Sequence, residues 1–218
     1  MGIFSFFRRN KQANGNSNDI ETNFEPDFPY PFGYKICWYA VKNETTKSVI
    51  EKLNLKIISE SNWENGINNV YNSCEQLFVS PPVNNYILLV NIRTDDNHEV
   101  VKKHSLLFNE LQYFGSHRVT EYNAWAKFCD GKVIRSYCYM GESGEITWCD
   151  GNITLEEINL GFGKFPSSTD ELLSDNFDYE NIPDEENVLA IAKAWGVDTS
   201  FEDKSYEKGT GFICVFAT

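Results

Sequence analysis

Histidine and methionine are scarce in this sequence, with three and two copies in 218 residues. Imidazole chemistry is therefore confined to His98, His104 and His117. Bases are also short, at 19 Lys and Arg against 32 Asp and Glu, giving a formal net charge of −13. No basic excess exists to neutralise phosphates, which excludes a nucleic-acid binder. No apolar run approaches the roughly 18 residues of a membrane span. Cysteines 37, 74, 129, 138, 149 and 214 form no C-x-x-C pair, and no Cys/His spacing fits zinc. Gly-Glu-Ser143-Gly lacks the spacing of a serine nucleophile elbow, and no P-loop occurs. Asp175, Asp178 and Glu180 lack the central Gly and closing Glu of a calcium loop. No cofactor and no metal is expected.

The remainder is a globular composition: 41% apolar, 23% charged and 15% aromatic, at a length between one and two average domains. A chain of this size buries roughly 70% of its unfolded surface and needs no metal or disulfide staple. With no secretory signal at the start, the cytoplasm is the expected location, where thiols stay reduced.

Residues 1–32 read as a flexible leader, rich in Asn and Pro. Ile3, Phe4, Phe6 and Phe7 beside Arg8, Arg9 and Lys11 could form a weak surface anchor. Residues 33–218 read as one α+β domain on a mostly antiparallel sheet. A β-meander lies in its C-terminal half, and helices pack on the sheet. Strand, helix, strand, helix opens it, over 34–41, 44–53, 56–59 and a helix behind a Ser61/Glu64 capping box. Tyr86 to Ile92 is apolar on both faces and reads as a central strand. An Asp96/Glu99 capping box predicts a helix to Leu111, with His104 packed in its apolar face and His98 solvated at its start.

Asp130-Gly131 predicts a two-residue hairpin turn. Its register makes paired numbers sum to 261, with Tyr122, Tyr137, Tyr139 and Arg135 on one face. These tyrosines could line an aromatic cleft. Thr154/Glu157 forms a third capping box. Pro183 and Gly196 bracket a helix over 184–195, with Val188, Ile191, Ala192 and Trp195 inward. A strand over 212–216 closes the chain.

Charge is concentrated late in the chain. Residues 166–203 hold eleven acids and one base, Lys193, a net of −10, so the other 180 residues share only −3 of the −13. Asp184, Glu185 and Glu186 occupy the first turn of the helix, where its dipole favours anions.

Two sets of candidate functional residues follow. In an extended strand His117 and Glu121 would share a side, a carboxylate beside an imidazole that could act as acid and base. Arg118 or Arg135 would hold an anionic substrate, with Trp125 further along. The other set is the acidic segment. Clustered charge speeds encounter with an oppositely charged partner, as in immunity proteins that neutralise toxins. It makes Asp184, Glu185 and Glu186 candidates for binding a basic protein. A solvated charge run explains the same residues without function. The sequence leaves the oligomeric state open.

The stretches Phe78-Val-Ser-Pro-Pro-Val, His117-Arg-Val-Thr-Glu-Tyr-Asn-Ala-Trp-Ala-Lys and Tyr137-Cys-Tyr-Met-Gly-Glu-Ser-Gly-Glu145, with Trp63-Glu-Asn-Gly, resemble a group of uncharacterised bacterial proteins. The resemblance covers roughly residues 35–160. It implies a bacterial origin and a single α+β unit, and assigns no activity, cofactor or site residue.

Overall fold

The computed structural model describes residues 25–73, 75–92, 97–202 and 206–217. Nine strands form one sheet in the order β2-β9-β3-β4-β1-β5-β6-β7-β8, and every neighbouring pair is antiparallel. In chain order the strands are β1 (Cys37–Lys42), β2 (Leu55–Asn62), β3 (Leu77–Val79), β4 (Tyr86–Val90), β5 (Glu110–His117), β6 (Tyr122–Cys129), β7 (Lys132–Met140), β8 (Glu145–Trp148) and β9 (Thr210–Phe216). The helices are α1 (Thr46–Lys52), α2 (Trp63–Asn72), α3 (His98–Ser105), α4 (Leu155–Asn159), α5 (Thr169–Leu172) and α6 (Glu185–Ala194).

Helices cover both faces. Side chains alternate along a strand, so β1 sends Trp38 and Ala40 to one core and Tyr39 and Val41 to the other. The first core is closed by Trp63, Ile67 and Val70 of α2 and by Val188, Ile191 and Ala192 of α6. The second is closed by Val49 and Ile50 of α1 and by Val101 of α3. Burial on both sides explains why β4 has no polar alternation. Among the described residues no helix is long and apolar enough to cross a membrane.

Residues 25–32, assigned to the leader on composition, lie on the domain. Asp27 bridges to Gly209, and its carboxylate accepts from the amides of Trp63 and Glu64 at the start of α2. Phe32 is buried edge-on against Trp38. The rest of the leader, the surface-anchor residues included, lies outside the described residues.

Several local expectations need correction. The cap of α2 is Asn62, whose side chain accepts from Asn65 N, while the Ser61 hydroxyl donates to Asn62 O. The helix expected to reach Leu111 ends at Ser105, and Leu111 belongs to β5. Its cap is Asn97, while Asp96 lies outside the described residues. The hairpin turn forms as expected, with positive φ at Asp130 (49°) and Gly131 (70°), and it pairs Cys129 with Lys132 and Phe128 with Val133. A bulge then adds one residue to β7, so Lys127 meets Arg135 and Trp125 meets Tyr137. Beyond it every β7 side chain is on the face opposite to the one the turn register gives.

Candidate functional site

The site is built around the start of α6. Pro183 cannot continue a ladder, and Asp184 caps the helix: its carboxylate accepts from Asn187 N, and Asn187 Oδ1 accepts from Asp184 N. The next residue, Glu185, turns inward and is 8% exposed. Its Oε1 accepts from the Lys35 amide and from Ser116 Oγ. Its Oε2 accepts from Arg118 Nε and sits 2.7 Å from Arg118 Nη2. Two guanidinium nitrogens thus converge on one carboxylate oxygen, with Arg118 largely exposed and Glu185 buried. This pairing ties the β5–β6 turn to α6.

Four residues separate β5 from β6, and the chain reverses within them. Glu121 takes a positive φ of 50°, and its carbonyl accepts from Gly141 N. Behind it Asn123, in β6, is 4% exposed. Asn123 Nδ2 donates to Pro183 O at 3.0 Å and to Glu121 O at 3.4 Å. Its Oδ1 is buried without a hydrogen-bond partner. Exchanging the amide's O and N would set an oxygen against two carbonyl oxygens, so this orientation is the one the surroundings permit.

These residues line a cleft of about 510 Å³: Arg118, Glu121, Asn123, Tyr139, Tyr179 and Ile182, with Pro183 and the three acids Asp184, Glu185 and Glu186 along the α6 side. Four carboxylates and one guanidinium give the lining a formal charge of −3. Burial, then the charge of Glu121, raises the Tyr139 phenol above its ordinary range. Glu186 accepts a hydrogen bond from Tyr34 OH, whose phenol is raised chiefly by that bond.

The structure thus brings Arg118, Glu121, Asp184, Glu185 and Glu186 together and leaves the other candidates elsewhere. His117 ends β5, exposed, with Nδ1 3.2 Å from Thr120 Oγ1. The turn removes the strand that would have placed Glu121 on its side, so the expected dyad does not form. Trp125 and Arg135, expected beside Arg118 at a substrate, lie buried and outside this cleft. Trp125 is fully buried and stacks on Tyr137 at 4.7 Å. Arg135 is buried, and its Nε donates to both oxygens of Glu157, which is 0% exposed. Trp125 Nε1 donates to the same carboxylate. Burial opposes the charge on Arg135, yet Glu157 beside it holds the guanidinium above its ordinary range.

The tyrosine cleft is likewise dispersed. Tyr122 packs into the second core with its hydroxyl on Tyr113, Tyr137 lies in the first, and only Tyr139 reaches the acidic cleft.

The remaining histidines are packed. His104 Nδ1 is 2.9 Å from Tyr39 OH, and the ring stacks on Phe216. His98, expected in solvent, stacks on Trp148 at 4.9 Å, with a side chain 15% exposed. Cysteines 129, 149 and 214 are free thiols, and burial pushes Cys214 up to about 12. Cys74 lies outside the described residues. Among the described residues no group of three or more His, Cys, Asp or Glu side chains could hold a metal ion.

Sequence reasoning missed Asn123, Tyr179 and the burial of Glu157. An Asn inside a run of aromatic and small strand residues was the available signal, since Asn is depleted in strands. No protein family, curated protein or solved structure matches the chain.

Proposed function

We propose that this is a bacterial, cytoplasmic binding protein that offers an acidic face to a basic protein partner. An immunity-type role, in which the partner is a toxin, is the leading case. One observation carries the reading. Asp170, Glu171, Asp175, Asp178, Glu180, Asp184, Glu186 and Glu202 are all exposed, and none forms an ion pair with a described base. Among the segment's described acids, Glu185 (to Arg118) and Asp198 (to Lys193) are the ones neutralised that way. Unneutralised like charge destabilises the compact state through self-repulsion, and a basic surface laid against it would relieve that cost. The same field would steer encounter and fade with ionic strength.

The test is affinity purification from the cells that make the protein. Wild type is compared with a variant carrying Asp170→Asn, Asp175→Asn and Glu180→Gln, whose side chains make no hydrogen bond within the described structure. The reading expects one basic protein retained by wild type and depleted on the variant. With both proteins purified, their Kd should rise steeply between 50 and 300 mM salt. A capture profile that neither the substitutions nor salt alters would remove the proposal.

A further inference from the structure

We infer that the groove between α2 and the strand pair β2–β9 binds a neutral, extended oligosaccharide. The inference goes beyond the acidic face, which lies on other elements.

α2 is built against its own propensity. Its apolar positions Trp63, Ile67 and Val70 face the first core, while Asn occupies positions 65, 68, 69 and 72. That spacing sets four amides along one stripe. Asn is a poor helix former, because its side chain competes for backbone groups. The exposed positions of α1 and α3 instead carry Lys and Glu, which are better formers. Asn65 Nδ2 donates to Asn62 Oδ1 and Asn72 Nδ2 to Asn68 O. The Asn68 and Asn69 side-chain amides make no hydrogen bond among the described residues. The stripe has therefore a cost to the helix and little return inside the fold.

It forms one wall of a groove of about 850 Å³. The sheet side is Ser59 and Ser61 of β2 with Ile213 and Val215 of β9, and Glu75 and Gln76 line it beyond the end of α2. Among the described residues no Lys, Arg or His lines the groove, so a phosphate or carboxylate would meet no countercharge. One acid, Glu75, gives a cation little to hold. A lipid chain would cover amides and hydroxyls without pairing them. Sugar hydroxyls fit, because each donates and accepts, as do the amides and serines facing them. Ile213 and Val215 supply an apolar contact for the C–H face of a ring. The repeat fits too. Successive amides stand about one helical turn apart, roughly 5 Å at 1.5 Å per residue, close to the advance per ring of an extended glycan.

The full-length protein, ¹⁵N-labelled, would be titrated with cellotetraose, with N-acetylated chitotetraose, with glucose and with acetyl-Ser-Thr-Ser-Thr-amide. The expected result is saturable shifts of the Asn65, Asn68, Asn69 and Asn72 side-chain amides with a tetrasaccharide, at concentrations where glucose leaves them in place. Asn68→Ala and Asn69→Ala should each weaken that binding about fivefold, as losing one hydrogen bond does. Because Ala is the better helix former, the thermal midpoint of the double variant should hold or rise. No shift with either tetrasaccharide, glucose binding as tightly, or the peptide binding ten times tighter would each overturn the inference. So would a lower midpoint in the double variant, which would make the amides structural. Asp170→Asn/Asp175→Asn/Glu180→Gln should bind the sugar as wild type does, so this inference and the acidic-face reading fail separately.

Discussion

Glu157 shows how one side chain can serve two purposes that its sequence position reveals only in part. Its carboxylate accepts from the Thr154 amide, which completes the cap of α4, while it also accepts from Arg135 and Trp125 inside the core. Removing one partner of a buried pair strands the other charge, which costs about 3–5 kcal/mol, while replacing both with apolar groups is often neutral. Glu157→Ala should therefore lower stability in urea by about that amount, and Arg135→Met/Glu157→Leu should recover most of it. A single-variant loss below 1 kcal/mol would mean that water reaches Arg135. The packed histidines set a pH dependence. Burial lowers His104 and His98 below the ordinary 6.5, with Asp150 partly offsetting it at His98. A depressed folded value means that the unfolded chain binds protons first as pH falls. Stability is thus full above pH 6.5 and declines below it, before the lowered carboxyls of Glu44, Glu171 and Asp198 begin to titrate out. The denaturation midpoint should drop between pH 7.5 and 5.5. His98→Phe/His104→Gln, which keeps the stack on Trp148 and a polar contact to Tyr39 while giving up the His104 stack on Phe216, should flatten that slope.

At the scale of elements, what was legible had a local cause. The helix over 185–194 announces itself by Pro183, Asp184 and Gly196 and by apolar residues at helical spacing, and all of these act in the folded chain as that pattern requires. The meander is legible because Asp130 and Gly131 accept the positive φ of its turn. The bulge was not legible in the hairpin's own residues, and it sits where a remote segment meets β7. Gly151 bridges to Arg135, and a Cβ there would lie 2.2 Å from the Ile134 carbonyl oxygen. That close approach lies beside the bulge, where no residue of the hairpin announces it. The bulge in turn moves Arg135 onto Glu157 and Tyr137 onto Trp125. The site was legible to the same degree. Arg118 and the α6 acids were visible as charged types, but their meeting depends on the turn over 118–121 and on the burial of Glu185. Both are tertiary facts. Glu185 was legible as an acid at a helix start and illegible as a buried hub, because Lys35 and Ser116, which complete its hydrogen bonds, are 150 and 69 residues away.

For the whole molecule, the decisive fact is where the last strand goes. β9 lies inside the sheet, between β2 and β3, and pairs with both. Without it, β2 loses its only strand neighbour among the described residues, and β3 is left there with β4 alone. Cys214 and Ile213 put one side chain into each core, so both faces lose packing together. Cys214 is 0% exposed and Ile213 3% exposed, so their absence would open cavities and not merely bare an edge. The sheet therefore cannot close until residues 210–216 are in place, and segments far apart in sequence depend on each other: Asp27 accepts from the first amides of α2 and pairs with Gly209, just ahead of β9. A chain ended at residue 208 should lose its cooperative thermal transition and its dispersed amide spectrum. A synthetic peptide of residues 209–218 should restore both in proportion to its concentration, because a segment that binds only the folded state stabilises it by mass action. Retention of a sharp transition by the shortened chain would show that β3, β4, β1 and the meander fold without the C-terminal strand. In that case the part of the acidic face at the start of α6, which packs over β5 and β6, would be independent of the β2–β9 half of the sheet.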